Sequence, residues 1–136
     1  MGNQDQLSYA REVVGCDPLA TYLGIKVEEV ALDRAVVSLE PRAHHLNAGD
    51  RVHGSTIYAL IDQATAVAAN TGPSRAWLVE GKVNFLAAAA PDQKLTAEAR
   101  PIDKRRRLSL WEVRVLSGSE LVAVGQMMAY HLPHSA

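Results

Sequence analysis

The longest stretch of helical character runs from Gly54 to Asn70, where alanines and long side chains propagate helix and Gly72-Pro73 ends it. Ile57, Leu60, Ile61, Ala64, Val67 and Ala68 mark it as a buried helix wrapped by other elements. After it the period changes. Trp77 to Phe85, Leu95 to Ile102, Leu108 to Leu116 and Leu121 to His131 carry the alternation or β-branched content of strands. Their breaks fall at Ala90-Pro91-Asp92, Asp103 to Arg106 and Ser117-Gly118-Ser119. Before the helix, Ile25 to Ala31 and Arg34 to Leu39 read as two strands joined by a tight turn at Leu32-Asp33. Asp5 to Val14 spaces Leu7, Ala10, Val13 and Val14 as a short helix stopped by Gly15, and Asp17-Pro18 opens a helical turn through Tyr22. Pro41 to Val52 is a loop rich in His, Asn, Asp and Gly. One hairpin, one long helix and four further strands predict an α+β arrangement, an antiparallel sheet packed against one helix.

Composition narrows the setting. The 136 residues suit one domain (1–136), with a helical segment over 1–24 and a tail over 132–136. Apolar residues make up 48% and charged residues 21%, the balance of a globular rather than a disordered chain. A formal charge of -1 gives no global basic field, so neither nucleic acid nor an anionic membrane is an expected partner. Cys16 stands alone, which excludes an intrachain disulfide and disfavours a Cys-based metal site. The opening MGNQDQLSYAREVVG lacks a signal-peptide apolar region, and no apolar run approaches the ~20 residues of a bilayer span. A cytoplasmic protein is the expectation.

Asp62 changes the picture. It is the only residue with a formal charge between Gly54 and Thr71. Its neighbours three and four positions away are Tyr58, Ala59, Thr65 and Ala66, so no cation shares its face. Burying an ionised carboxylate without a partner costs several kcal/mol or raises its pKa. Asp62 must therefore meet a cavity, water or a group from elsewhere. A structural aspartate bonded to backbone or hydroxyl groups is one outcome; a catalytic carboxylate is the other.

Gly54 supplies a second piece, because a helix N-terminus presents unpaired N–H groups and a partial positive charge of roughly +0.5. Such an end stabilises a developing oxyanion, and glycine lets a carbonyl approach closely. With the amide of Asn47 nearby in sequence, these groups make an acyl-transfer set. Gly54 and Asp62 are nevertheless eight residues apart, about 12 Å along one helix. A base and an oxyanion donor must both lie within a few ångströms of one carbonyl carbon. If both act, Gly54 of one subunit faces Asp62 of another, and a two-fold dimer with two composite sites follows.

The stretch HLNAGDRVHGSTIYALIDQATAVAA resembles the PaaI-like hotdog thioesterases, with Asn47, His53, Gly54, Leu60, Asp62 and Ala64 at the motif positions. The resemblance implies a hotdog fold, a curved antiparallel sheet around a long central helix, paired into a homodimer and often a homotetramer. It implies hydrolysis of acyl-CoA thioesters without metal or other cofactor. Asp62 would be nucleophile or general base, the Gly54 N–H would polarise the thioester carbonyl, and Asn47 would hydrogen-bond the thioester or the water. Ser55 replaces the second glycine of the family's His-Gly-Gly, and Leu78 falls where some members place Ser or Thr.

Further residues are candidates for substrate contact. Arg105, Arg106 and Arg107, after Lys104 at a predicted hairpin turn, are either a solvated turn or a clamp for CoA phosphates. His53 is expected to fix the turn into the helix, with Ser55 beside it. Tyr58 and Trp77 either line an acyl pocket or pack in the core. His44 and His45 point apart in an extended loop and, with His53, match no zinc spacing. His131 and His134 are expected in a polar tail without a specific role. Two other classes compete: a noncatalytic acyl-CoA-binding or sensing protein, motivated by Ser55 and Leu78, and an enoyl-CoA hydratase or dehydratase. The latter needs a loop His paired with a helix acid, which the His53 spacing does not clearly supply.

Overall fold

The computed structural model describes residues 2–133. Three α-helices, α1 (Asn3–Ser8), α2 (Pro18–Leu23) and α3 (Gly54–Ala69), accompany six strands. The strands are β1 (Lys26–Ala31), β2 (Arg34–Leu39), β3 (Ala76–Phe85), β4 (Leu95–Lys104), β5 (Leu108–Ser117) and β6 (Glu120–His131). They form one antiparallel sheet in the order β1-β2-β4-β5-β6-β3. The six strands expected from sequence are all present, and α3 occupies the predicted central span.

Alternation sets which side of the sheet meets α3. On β5, Trp111, Val113 and Val115 are fully buried while Glu112, Arg114 and Leu116 face outward, the period-2 pattern of a sheet with one covered face. Ala97 and Ala99 of β4 and Ala123 and Ala129 of β6 are equally buried. Small side chains let the helix approach the sheet. Ile57, Leu60, Ile61, Ala64, Val67 and Ala68 fill the space between, none more than 3% exposed.

The two sheet edges differ. β1 carries Lys26, Glu28 and Glu29, charges of the kind that blunt edge pairing. β3 is ten residues long, with an unpaired side, and leaves Trp77, Val79 and Phe85 more than half exposed. The Tyr58 hydroxyl and the Met127 sulfur crowd Gly81, where a Cβ would lie 2.7 Å from that sulfur, so a side chain in the middle of this strand would have to push both aside.

Three local expectations are corrected. The N-terminal helix widens after Ser8 into a π-helical stretch, Tyr9–Val14, in which the Gly15 N–H donates to the Ala10 carbonyl at 2.9 Å. Apolar spacing over so few residues does not separate the two helix types. His44 and His45 sit in a 3₁₀ turn, Ala43–His45, with ring centroids 4.0 Å apart, rather than pointing apart in an extended loop. His131 is not in a tail. It ends β6, is 6% exposed, and accepts or donates through both ring nitrogens: Nε2 lies 2.7 Å from Ser109 Oγ and Nδ1 lies 3.0 Å from Ser74 Oγ. The Trp111 indole donates to the same Ser109 oxygen at 2.7 Å, so a buried relay links three elements. His134 falls outside the described residues. Among the described residues no helix is long and apolar enough to cross a membrane.

Candidate active site

The first turn of α3 leaves one donor free. His53 is the N-cap; its Nδ1 accepts from the Ser55 N–H at 2.9 Å, and its carbonyl accepts from Thr56 and Ile57. Among the described residues the Gly54 N–H has no acceptor. It opens on a cavity of about 430 Å³ lined by His53, Gly54, Ser55, Tyr58 and Phe85. The Phe85 ring lies against Gly54, where an added Cβ would sit 3.2 Å from Cζ. The expected role of His53 at the turn is thus visible as a hydrogen bond, and Ser55 and Tyr58 stand beside it.

Asp62 lies two turns on, half-buried on the wall between two further cavities. The larger, about 570 Å³, is mainly apolar, with Tyr9, Val13, Trp77 and Leu78 among its walls. The smaller, about 300 Å³, runs along α2 toward Ser55 and Tyr58. Among the described residues no hydrogen bond or ion pair engages the Asp62 carboxylate. Burial raises its pKa, and the nearby charge of Asp17 raises it further. A carboxylate so placed is a stronger base than usual and is open to a ligand.

The family profile of the thioesterase superfamily matches residues 49–124, which contain both Gly54 and Asp62. The chain belongs to the thioesterase superfamily. A substituted form of the phenylacetic acid degradation protein PaaI from Thermus thermophilus is 34% identical, with a TM-score of 0.81 over 85% of this chain and 100% of that one. The Escherichia coli PaaI protein has the same fold at 22% identity, TM-score 0.88, covering 98% of this chain and 95% of that one. A thioesterase from Haemophilus influenzae matches the fold at 18% identity and TM-score 0.80, over 86% and 85% of the two chains. The PaaI-like hotdog architecture expected from the motif is the one observed.

Other candidates of this thioesterase-superfamily chain are distributed unevenly. Asn47 Oδ1 accepts from the Gly49 and Arg51 N–H groups at 2.9 and 3.1 Å, so its carbonyl shapes the loop and its NH₂ alone is left to face a ligand. Asn47 lines none of the three cavities above. Arg105 is paired with Asp103 at 2.8 Å at the β4–β5 turn, while Arg106 and Arg107 form no ion pair among the described residues. Register puts that turn near β3: Leu108 pairs with Tyr130, which pairs with Trp77. The arginines therefore stand at the Asp62 end of the molecule and not at its own Gly54 end. Tyr58 and Trp77 are not core residues; they are 37% and 65% exposed and line cavities.

His45 is removed from any ligand role. Its Nε2–H donates to the Leu23 carbonyl at 2.7 Å and its Nδ1 accepts from the Arg42 N–H at 2.9 Å. The place of two residues at the site escaped the sequence reading. Asp17 is the predicted N-cap of α2, accepting from Ala20 N–H at 3.0 Å, but it also lines both Asp62 cavities. Arg75 lines the larger one, its guanidinium 4.0 Å above the Tyr9 ring. Neither location has a local sequence signal, since both depend on how the N-terminal helices fold back onto α3.

Proposed function

We propose that this superfamily member hydrolyses acyl-CoA thioesters in the cytoplasm, without metal, at two composite sites of a homodimer. The carrying observation is Asp62: a carboxylate in a cavity wall, without a protein partner among the described residues and with a raised pKa. The free Gly54 N–H complements it but is about 12 Å away along the same helix. A second copy removes that separation. If two β3 edges pair antiparallel about a two-fold axis between Glu80 and Gly81, Ala76 meets Phe85 of the second copy and Trp77 meets its Asn84. The cavity of Asp62, walled by Trp77 and Leu78, then adjoins the Gly54 and Phe85 of the second copy. The exposed apolar side chains of β3 support this pairing, since a long apolar edge favours addition of another strand.

In this site the Gly54 N–H donates to the thioester carbonyl oxygen, where negative charge develops. Asp62 either takes a proton from water as the water oxygen attacks the carbonyl carbon, or attacks that carbon itself before water releases the acid. The C–S bond breaks, the sulfur leaves with CoA and is protonated, and the free acid remains. Asn47 donates its NH₂ to the thioester or water, and Arg106 and Arg107 take CoA phosphates at the rim, with Arg105 the least available.

Thiol release from a panel of acyl-CoAs tests the reading. Wild type should turn over at least one thioester, and Asp62→Asn should lose about 100-fold or more. Undiminished turnover in Asp62→Asn would overturn the mechanism; CoA binding without any thiol release would favour a sensor.

A further inference from the structure

Asp62 shares its surroundings with one other carboxylate. Asp17 lines both cavities that Asp62 lines, reaching them from the start of α2 while Asp62 reaches them from α3. Its position is fixed rather than incidental. Oδ1 accepts the Ala20 N–H at 3.0 Å and Pro18 follows at the first helical position, so the carboxylate is held as an N-cap. Among the described residues Oδ2 has no hydrogen-bond partner, and neither carboxylate forms a salt bridge.

The remaining titratable and charged groups around the cavities are few. The N-terminal helical stretch contributes Tyr9, α3 contributes Tyr58, and the segment before β3 contributes Arg75. Among the described residues Arg75 is the one cation there, and its guanidinium is engaged over the Tyr9 ring. The rest of the larger cavity is mainly apolar, and both carboxylates are half-buried on it, so the interaction between them is screened less than between fully exposed charges. A negative charge facing the same cavities disfavours ionisation of Asp62, which then holds its proton to higher pH.

We propose that Asp17 is a positioning residue for thioester hydrolysis: held as the α2 cap on the two cavities it shares with Asp62, its carboxylate adds to the effect of burial and raises the pH below which turnover fails. This rests on Asp62 as the reactive carboxylate in the reading above. It assigns α2 a part in the chemistry: its cap residue doubles as the electrostatic partner of a group 45 positions later in the chain. The direction of the Asp62 shift, upward from burial and then from Asp17, agrees with it.

The sign follows directly. Hydrolysis needs ionised Asp62, so activity is lost as pH falls through its pKa. Removing the charge at position 17 lowers that pKa, and the acidic limb of kcat/KM must move toward acid. Asp17→Asn is the variant of choice, because asparagine caps a helix about as well as aspartate. Its plateau activity should fall by less than about tenfold, as a weaker base results, against about 100-fold or more for Asp62→Asn. Asp17→Glu keeps the charge and should restore the limb toward the wild-type position; Asp17→Ser, another good cap without charge, should behave as Asp17→Asn.

A second readout does not depend on turnover. Carboxyl ¹³C NMR can follow the titration of Asp62 in intact protein, wild type and Asp17→Asn. A midpoint that moves toward acid in Asp17→Asn, together with the shifted activity limb, establishes the role. An unmoved Asp62 midpoint overturns the proposal, even if activity falls. A midpoint that moves in Asp17→Asn while wild type releases thiol from no thioester would instead overturn the proposed function, and with it the part assigned to Asp17 in turnover.

Discussion

Asn70 ties the Asp62-bearing helix to the strand proposed to form the dimer, and its removal should be felt in both stability and turnover. Its Nδ2 donates to the Ala66 carbonyl at 2.8 Å and to the Ala76 carbonyl at 3.2 Å, while its Oδ1 accepts the Ala76 N–H at 3.0 Å. The residue is 6% exposed and lines the Asp62 cavity. Asn70→Ala deletes all three bonds. At about 0.5–1.5 kcal/mol net for each, the loss spans roughly 1.5–4.5 kcal/mol. Ala76 is partly exposed on an edge strand, so water can satisfy its freed N–H and carbonyl, and the expected cost lies near ~2–3 kcal/mol. With an m-value of about 2 kcal/mol/M, the urea midpoint should fall by roughly 1 M at fixed protein concentration. Asn70→Asp can still accept the Ala76 N–H but loses both donated bonds and adds a negative charge at the helix C-terminus, so it should recover at most a minor part of the loss. kcat/KM should fall more than the unfolded fraction accounts for, since β3 would be looser against the wall that holds Asp62. A change below about 0.5 kcal/mol with unaltered kcat/KM would refute the reasoning.

Other consequences are more quickly stated. Ser109→Ala orphans the buried Trp111 N–H and His131 Nε2 together, and denaturation should show a loss of about 2–5 kcal/mol. Asp62 has a raised pKa in the folded state, so it contributes stability at low pH that is lost as pH rises through that pKa; Asp62→Asn should be more stable than wild type at neutral pH, with the difference vanishing in acid. Burial lowers the pKa of both His45 and His131, so the unfolded chain binds more protons below the ordinary value of 6.5 and stability should fall as pH drops through that region. Urea titrations of Asp62→Asn, which lacks the opposing contribution, should show this fall, and a rise would contradict it. Val79→Lys puts a charge on the apolar edge of β3; light scattering should report monomers, with activity lost by more than about tenfold.

Most of the fold was legible because it rests on local pattern. Alternation of buried and exposed positions located β4, β5 and β6, and the alanine-rich run between His53 and Gly72 located α3, since both periods are written in consecutive residues. Strand order was not legible. β3 follows the helix directly yet lies at the sheet edge, beside β6, because sequence adjacency says nothing about which later strand captures it. The site divides the same way. Asp62 stood out as the one charge on an apolar helix, and the Gly54 end could be inferred from helix chemistry. The surroundings of Asp62 depend on long-range packing: Asp17 and Arg75 arrive from segments 45 positions earlier and 13 later. His131 was misplaced because a polar residue near the chain end looks solvated until Ser109 and Ser74 are seen to close around it.

The composite site is tested most directly by mixing two inactive variants. Gly54→Pro removes the one free N–H of the first turn; His53, at φ -63 and ψ 140, already has the backbone that precedes proline, and the half-exposed Phe85 ring, 3.2 Å from a Cβ at this position, must shift slightly to admit it. Combined with Asp62→Asn by unfolding and refolding together, half of the dimers should be mixed. Each mixed dimer would hold one site with both Asp62 and Gly54 and one with neither, so thiol release should recover to about one quarter of wild type. Recovery to that level is the predicted result; mixed dimers, shown to have formed by mass, that release no more thiol than either variant alone would contradict the account.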